Sequence, residues 1–381
     1  MKLLKINTKA NIQKLLEKIG VTKEGMKILE SKAQLHFIYI KDLKTPAANI
    51  LKQDALSIGA DLAVSADTIT CKEKFTDALL IASSRELKIL SKKELAQPFG
   101  LKEVAKGLGD FLYKEQKKPQ LMGVLNANED SFFQKSRFDA TNALKKMNLM
   151  IEDGADIIDI GGVSSRPGSM GVSEEEELNR IKPIVDLIYE HKLFDNVTFS
   201  LDSYSALCLN YALDRGFRIV NDITALAHDE VARVAAKYDA TVVLMHMKGT
   251  PLDMQSNPYY EDVLEEVDSF FAQRIAKAKS FGINKIILDV GIGFGKSLEH
   301  NLLLLNHHEH FLHFGYELLV GASRKSMIDK IVPCSVEERL PGTLAIHLKA
   351  LENGASIIRA HDVKEHYQAM QVWEKINEAT L

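Results

Sequence analysis

The chain has 381 residues, of which 46% are apolar and 26% are charged, a composition typical of folded globular proteins and unlike that of disordered, fibrous or membrane proteins. Its 48 lysines and arginines against 52 aspartates and glutamates leave a net charge of −4, so no global excess of positive charge is available for binding nucleic acid. The length suits two or three average domains, or one large α/β barrel with an additional piece.

The amino terminus and the cysteines indicate the compartment. Polar residues Lys5, Asn7 and Thr8 interrupt the first apolar segment before it reaches the length of a signal peptide, and no later run approaches the roughly 18 apolar residues of a membrane span. The cysteines are far apart and show no CxxC spacing, which argues against a disulfide framework or a thiolate zinc site. They are Cys71, Cys208 and Cys334. We therefore expect a cytoplasmic protein with no membrane partner.

Residues 1–115 predict a small α/β domain. The segment NIQKLLEKIG has helical periodicity, LHFIYIKD is typical of a strand, and AANILKQDALSIGADLAV combines helix-like and strand-like stretches. No catalytic spacing is visible in this region. Its function therefore stays unassigned, with a structural, oligomerisation or lid role as the default.

From about residue 119 onward, short β-branched apolar runs alternate with amphipathic stretches of helical period, a pattern typical of repeated βα units and a parallel sheet. The candidate strands are 120–126, 156–162, 197–203, 217–223, 241–247, 285–291, 316–323 and 356–362. Eight such units in about 260 residues favour a closed (β/α)8 TIM barrel over residues 116–381, with an open doubly wound sheet as the weaker alternative.

Polar side chains interrupt these strands almost entirely at their carboxyl ends. In a βα barrel those ends converge on one face, where the loops build the active site. One such residue alone could simply cap the following helix. Because the pattern recurs along the chain, it predicts a polar mouth that binds its ligand through directional hydrogen bonds. The residues are Asn126, Asp159, Asp202, Asn221, Asp222, His246, Asp289, Ser323, Arg359 and His361.

Two local motifs resemble known sites but fail their tests. The segment DVGIGFGKS has Val290 where a Walker phosphate loop requires glycine, so its glycines are better explained by tight turns and close approach to a flat ligand. The segment NHHEHFLH carries four histidines between residues 307 and 313, but Leu312 stands where a zincin HExxH motif needs histidine. A solvated or interface face of one helix is favoured there over a metal site.

The strongest constellation combines several strand ends. Arg359 and His361 flank Ala360, and alternation along a strand would place both side chains on one face as adjacent donors for phosphate or pyrophosphate. Barrels frequently bind phosphate near their last two strands. Further acceptors, an amide and a cation could bind the edge of a heterocycle that has amino, ring N–H and carbonyl groups. They are Asp202, Asn221, Asp289 and Lys325.

Taken in chain order, these segments resemble a known family. The motif series of the dihydropteroate synthases, enzymes of folate biosynthesis, is matched over roughly residues 119–375 by MGVLN with DSF, GADIIDIGGVSSRPG, SLDS, IVNDI, VVLMHMKGTP, ILDVGIGFGK, LVGASRKS and IIRAHDV. Each motif alone is weak, but the ordered series is specific. The resemblance implies that the chain joins 6-hydroxymethyl-7,8-dihydropterin pyrophosphate to p-aminobenzoate, that it releases pyrophosphate with the assistance of Mg2+, and that it forms a homodimer.

The resemblance also implies roles for individual residues. The pterin-binding positions are matched by Asp202, Asn221, Asp289 and Lys325. The pyrophosphate positions are matched by Asn126, Arg359 and His361, with Asn126 as the metal ligand. The p-aminobenzoate pocket is matched by Ser165, Arg166, Pro167, Phe294, Lys325 and Ser326. Catalytic roles fall to Asp202, Lys325, Arg359 and His361, and sulfonamides, which mimic p-aminobenzoate, are expected to compete.

Two alternatives stay open at this point. After Asn126 the family usually continues VTPDSFSDGG, whereas this chain has ANEDSFFQKS, which predicts altered charge and flexibility in the first loop (127–136). A pterin-binding protein that has lost catalysis is therefore one alternative. The other is a methyltransferase that moves a methyl group from methyltetrahydrofolate to a corrinoid protein, although SSRPG, SRKS and RAHD suit a pyrophosphate-bearing substrate better.

Overall fold

The structure, a computed structural model, describes residues 1–8, 10–112, 117–127, 137–163 and 172–379, without the side chains of 137–141. It contains two compact units, one made of Met1–Glu115 with Trp373–Leu381 and one made of Gln116–Val372. Within the described ranges, no helix is long and apolar enough to cross a membrane.

The first unit contains a three-stranded antiparallel sheet in the order β1-β3-β2. The strands are β1 (Leu35–Lys44), β2 (Asp61–Val64) and β3 (Phe75–Ser83). The helices are α1 (Ile12–Ile19), α2 (Lys23–Ala33), α3 (Thr45–Ile58), α4 (Ser84–Lys93) and α5 (Leu101–Asp110), with 3-10 turns at Ala66–Thr70 and Glu94–Ala96. Its core joins alternate strand residues to the helices, as where Leu80 of β3 clusters with Leu51 of α3 and Leu87 of α4, all fully buried. The predicted additional α/β region is therefore confirmed.

The second unit contains a closed parallel barrel in the order β10-β11-β4-β5-β6-β7-β8-β9. The strands are β4 (Gln120–Asn126), β5 (Ile157–Gly161), β6 (Thr198–Asp202), β7 (Ile219–Asp222), β8 (Thr241–Met245), β9 (Ile286–Asp289), β10 (Glu317–Val320) and β11 (Ile357–Ala360). The predicted (β/α)8 barrel is therefore confirmed, and the open sheet is wrong. Most strands are shorter than the sequence pattern indicates; the run 316–323, for example, forms a strand only over Glu317–Val320.

Helices follow the strands and surround the barrel. They are α6 (Arg137–Glu152), α7 (Glu174–Glu190), α8 (Ala206–Leu213), α9 (Asp229–Lys237), α10 (Val263–Ser280), α11 (Leu298–Asn306), α12 (Ser326–Ile331), α13 (Leu340–Glu352) and α14 (Val363–Glu378). Three 3-10 turns, Leu193–Asp195, His308–Phe314 and Glu337–Arg339, lie between them. Side-chain caps fix several starts; Ser173, for example, accepts the N–H of Glu176 at the start of α7.

Strand alternation determines what fills the barrel. One layer of buried apolar side chains comes from seven strands: Met122, Ile157, Ile219, Val243, Ile287, Leu319 and Ile357. Two residues further along four of these strands, the same face carries Asp159, Asn221, Asp289 and Arg359. A polar layer therefore lies next to an apolar floor, towards the carboxyl ends of the strands.

Candidate active site

Arg359, on the last strand, reaches carboxylates on two other strands. Its Nε donates to Asp159 Oδ2 at 2.7 Å, and its Nη2 donates to Asp202 Oδ2 at 2.9 Å. Asn221 Nδ2 donates to the same oxygen of Asp159 at 3.0 Å. The strand register explains this cluster, because Asn221 pairs with Asp202 and Asp202 pairs with Gly161, which carries no side chain to fill the space beside them.

Two carboxylates share this one guanidinium. Burial raises the pKa of Asp202 above its ordinary value; Arg359 opposes the rise and Asp159 adds to it. Asp159 is fully buried, and its Oδ1 has no hydrogen-bond partner among the described residues. The polar layer therefore has acceptor capacity that its own donors do not use, which suits a ligand that brings N–H groups.

Asp289 ends β9 and begins a glycine loop (residues 290–297). The carboxylate is 7% exposed and accepts the N–H of Gly291 on Oδ1 at 2.8 Å. Burial raises its pKa, and Lys325 opposes the rise. Glycine is required at 291, because φ is +67° and a Cβ would lie 1.9 Å from the carbonyl oxygen of His246. The predicted tight turn is present. The backbone at Gly291 closely approaches the carbonyl group of His246, just after β8.

Lys296 holds this glycine loop in place. Its ammonium is buried and lies 2.9 Å from His246 Nδ1 and 3.2 Å from the carbonyl oxygen of the same residue. It also donates to the carbonyl oxygens of Gly291 at 3.1 Å and Phe294 at 3.0 Å. Burial lowers the pKa of Lys296 to about 7.

Lys325 lies beside the glycine loop and next to Ser326, the first residue of α12. Its ammonium donates to the carbonyl oxygen of Ile292 and lies 4.4 Å from the ring centroid of Phe294. Burial lowers the pKa of Lys325 to about 8, and Asp289 partly offsets this effect. The structure therefore brings Lys325 and Phe294 together, and Ser326 follows Lys325 in the chain.

A buried histidine relay supports the same segment. The N–H of Ala322 donates to His347 Nε2 at 3.0 Å, so His347 carries its proton on Nδ1. That proton faces His366 Nε2 at 2.8 Å, and His366 Nδ1 in turn lies 2.6 Å from the carbonyl oxygen of Asp362. The relay thus connects the end of β10 to the segment that follows β11.

The segments after β10 and β11 also contact each other directly. Arg324 forms two hydrogen bonds to the Asp362 carboxylate, at 2.9 and 2.8 Å. Ser323 Oγ lies 2.9 Å from His361 Nδ1 and accepts the His361 N–H at 3.2 Å. These contacts fix the loop that carries Lys325 against the loop that carries His361.

Arg359 and His361 make different contacts at the end of β11. Arg359 lies on the strand and points inward to the two carboxylates, whereas His361 follows the end of β11, is exposed and contacts Ser323. β11 ends at Ala360, so His361 lies just beyond the strand, and the use of both side chains as adjacent donors stays a prediction. Ser165, Arg166 and Pro167, with loop residues 128–136, lie outside the described residues.

Other residues were missed or misassigned from the sequence. Lys296 was considered only as part of a failed phosphate motif, and His347 and His366 lie on helices with no local signal. Among the neighbouring histidines, the predicted solvated face is wrong for His308, which is fully buried on a 3-10 turn. The position of Lys296 in a glycine-rich loop at a strand end was the one signal available for its role. A lysine buried in such a loop needs several acceptors, and the loop's backbone carbonyl groups can supply them.

The described residues at the mouth fit a magnesium ion held largely by a substrate. Mg2+ prefers oxygen ligands and usually combines few protein oxygens with substrate phosphates. Asn126, at the end of β4, offers an amide oxygen, and Asp159 Oδ1 is buried with no partner in the described part of the chain. The register places both side chains on the inner face of the barrel, since Val124 pairs with Asp159.

Known proteins are similar to this chain in sequence. The family model "Pterin binding enzyme" matches residues 122–361. A Helicobacter pylori protein named bifunctional dihydropteroate synthase/dihydropteroate reductase is 42% identical over 368 residues, which cover 96% of this chain and 97% of the relative. The Escherichia coli dihydropteroate synthase is 44% identical over 259 residues, 67% of this chain and 91% of the relative.

Structural comparison gives the same result. A crystal structure of the Yersinia pestis dihydropteroate synthase in complex with a sulfonamide drug matches with a TM-score of 0.64 and 39% identity, covering 70% of this chain and 97% of that one. The closed barrel, with its polar layer at the strand ends, defines a pterin-binding TIM-barrel enzyme. Within that class, the chain belongs to the dihydropteroate synthases of folate biosynthesis. The predicted family and enzyme class are confirmed, and the methyltransferase and non-catalytic alternatives are not favoured.

Proposed function

We propose that the polar layer binds the pterin ring of 6-hydroxymethyl-7,8-dihydropterin pyrophosphate and that the chain joins this substrate to p-aminobenzoate. The observation that carries the proposal is the position of Asp159, Asn221, Asp289 and Arg359 directly beyond the apolar floor. An apolar surface with hydrogen-bonding groups around it suits a flat bicyclic ring with a polar edge.

The pterin contacts fall to Asp202, Asn221, Asp289 and Lys325. Asp289 uses Oδ1 for the N–H of Gly291, which leaves Oδ2 for the amino and ring N–H groups of the pterin. Asn221 can offer its carbonyl oxygen while its amide group stays on Asp159. Lys325, which lies beside the glycine loop, supplies a donor.

The leaving pyrophosphate is assigned to Asn126, Arg359 and His361. Arg359 uses Nε and Nη2 for the carboxylates, so Nη1 remains for a phosphate oxygen. His361 is exposed at the rim, where Nδ1 contacts Ser323, and we assign it as the second phosphate ligand. Magnesium, when bound through Asn126, supplies positive charge that neutralises the departing pyrophosphate.

The p-aminobenzoate pocket is assigned to Phe294, Lys325 and Ser326, with Ser165, Arg166 and Pro167 completing it. Phe294 offers an aromatic face and Lys325 a cation within 4.4 Å of that face, which suits an aromatic ring that carries a carboxylate. Sulfonamides have a similar shape and charge, so we propose that they compete with p-aminobenzoate here. The drug-bound relative supports this proposal.

The residue types suit bond ionisation before amine attack. As the pyrophosphate leaves, positive charge develops on the pterin methylene and negative charge on the leaving group. Asp202 stabilises the first and Arg359 with His361 the second. No nucleophilic side chain is required, because the amine of p-aminobenzoate is itself a nucleophile, and binding both substrates in register supplies much of the acceleration.

The proposal is tested with the full chain, both substrates and magnesium, by following dihydropteroate and pyrophosphate. Asp289→Asn is expected to lower kcat/KM by about 100-fold, because it replaces an acceptor of the pterin edge with an amide. Asp239→Asn is the matched control, since Asp239 is 84% exposed and precedes β8 at its amino end. Equal activity in the Asp289 variant and the wild type would contradict the proposed pterin site.

A second activity is favoured by the extent of the sequence match. The Helicobacter pylori relative, whose name includes dihydropteroate reductase, matches 96% of this chain, whereas the Escherichia coli synthase matches 67%. We propose that the chain also reduces the C6–N5 double bond of its product, with hydride going to C6 and a proton to N5. The hydride comes from a reduced nicotinamide or a reduced flavin, which is oxidised.

Incubating the full chain with dihydropteroate and each donor class separately tests this activity. Formation of tetrahydropteroate, detected by mass, with matching oxidation of one donor would support it. Absence of product with both donors, in a preparation that condenses the two substrates normally, would exclude the second activity without affecting the first.

We further propose that the enzyme is a cytoplasmic homodimer. The family resemblance supports the dimer, and the free thiols of all three cysteines fit a reducing compartment. Light scattering should give a mass about twice the 42.5 kDa of one chain, and a mass of one chain would contradict the dimer.

A further inference from the structure

A second cluster of metal-binding side chains lies in the outer layer of the barrel. Asp268 is on α10, and His310 and His313 are on the 3-10 turn His308–Phe314 that precedes β10. His310 Nε2 lies 3.1 Å and His313 Nε2 lies 2.6 Å from the same oxygen, Asp268 Oδ1. The three ligand atoms all lie within 4.8 Å of one another.

The local fold orients these side chains before any ligand binds. In a 3-10 helix, residues three apart lie above one another, so His310 and His313 point the same way, with ring centroids 5.1 Å apart. One turn beyond Asp268, Phe271 packs edge-on against Phe311 and Phe314, with centroids 5.5 and 6.2 Å apart. These aromatic contacts hold α10 at a fixed distance from the turn.

We propose that Asp268, His310 and His313 bind a divalent transition metal, with zinc as the best fit. Two imidazole nitrogens and one carboxylate oxygen are a common ligand set for zinc, and water can take the fourth tetrahedral position. The side chains are 30%, 33% and 17% exposed, so both the ion and its water have access. Magnesium is the poorer fit, because it prefers oxygen ligands.

This site is distinct from the magnesium position assigned to the mouth. Asn126 and the polar layer lie at the carboxyl ends of the strands, whereas His310 and His313 lie on the turn that enters β10 at its amino end. A bound ion would therefore link α10 to the chain before β10 and stabilise the barrel wall rather than take part in the reaction.

The test uses the full chain without a histidine tag, stripped of metal and titrated with zinc chloride. We expect binding of one equivalent by calorimetry, a rise in Tm, and the intense visible absorption of tetrahedral Co2+ when cobalt replaces zinc. His310→Ala and His313→Ala should each weaken zinc binding by about 100-fold. Loss of a residue that only orients a metal ligand can already weaken metal binding by this factor.

His307→Ala is the matched control, because His307 belongs to the same histidine-rich segment but is exposed and outside the cluster. It should keep the affinity of the wild type within about twofold. Asp268→Asn and His313→Gln, which preserve side-chain volume, guard against loss of folding. Unchanged zinc affinity in these ligand variants, or octahedral cobalt spectra in the wild type, would overturn the proposal and leave only weak surface binding.

Discussion

Arg359 and Lys296 are both cations near the mouth of the barrel, but the structure holds them in different ways. Arg359 lies on a strand and donates to the carboxylates of Asp159 and Asp202. Lys296 lies in the glycine loop and donates to an imidazole and three backbone carbonyl oxygens. The strand position therefore balances charge, whereas the loop position connects neutral backbone groups.

The protonation of the two cations reflects this difference. Burial alone would lower the pKa of Arg359, but Asp159 and Asp202 raise it above its ordinary value. Burial lowers the pKa of Lys296 to about 7, and Asp289 opposes the shift. The strand ends thus carry the charges that can act on a substrate. Lys296, in the loop, instead fixes the conformation of the loop backbone.

The largest expected effect is that of Arg359→Met. The change leaves the Asp159 and Asp202 carboxylates together without a cation, so the free energy of unfolding should fall by about 3 to 5 kcal/mol. Urea unfolding measures this loss. Asp159→Asn in the same chain should restore part of it by removing one of the two charges. A single Arg359 variant as stable as the wild type would show that these charges are not coupled.

Lys296→Met should have a smaller effect, about 2 kcal/mol, because the groups it leaves without a donor are neutral. In addition, KM for p-aminobenzoate should rise, since Phe294 lies in the loop that Lys296 holds. Steady-state kinetics and urea unfolding measure both effects. Lys285→Met is the control, because Lys285 is an exposed lysine paired with Asp239. If Lys296→Met lowered the free energy of unfolding as much as Arg359→Met, the distinction between a charge-balancing strand residue and a loop residue that binds neutral groups would be wrong.

Lys325 lies beside the glycine loop and near the strand-end residue Asp289, so its charge should affect the binding of both substrates. Lys325→Ala is expected to raise KM for both substrates about tenfold, the value of one charged hydrogen bond. Because burial lowers the pKa of Lys325 to about 8, the wild type loses this cation as the pH rises through 8, and KM should rise there. Lys325→Arg stays protonated and should show a flat profile. Unchanged KM values in the alanine variant would show that the assignment is wrong.

The strand-end part of this site could be predicted from the sequence because it follows from alternation. Ile157, Ile219 and Ile287 are each followed two residues later by a polar side chain, and the barrel brings these positions to one layer. Alternation carries less information where a strand ends, as at His361, because the side chain there also contacts a loop residue, Ser323.

Contacts between distant segments could not be predicted either. Asp268 lies 42 residues before His310, and nothing near either residue indicates the other. The burial of His308 also depends on how its turn packs against the neighbouring segments, which the histidine-rich sequence does not specify. The four acceptors of Lys296 come mainly from the backbone, and backbone groups have no sequence signature.

The smallest expected effect is that of His366→Leu, which interrupts the histidine relay behind the loops. His347 Nδ1–H then loses its acceptor and the Asp362 carbonyl loses its donor, so the free energy of unfolding should fall by about 1 kcal/mol at pH 7.5. Catalysis should change little, because the direct contact between Arg324 and Asp362 remains.

The pH dependence separates this relay from ordinary packing. Burial lowers the pKa of His366 and of His347. Below the usual histidine pKa of about 6.5, the unfolded chain therefore binds more protons than the folded chain, and the free energy of unfolding decreases as the pH decreases. His366→Leu removes one of these groups, and its stability should fall less than that of the wild type between pH 7.5 and 5.5. Leucine cannot take up a proton. If the wild type and His366→Leu lose the same free energy of unfolding between the two pH values, as measured with urea, the relay does not couple folding to protonation.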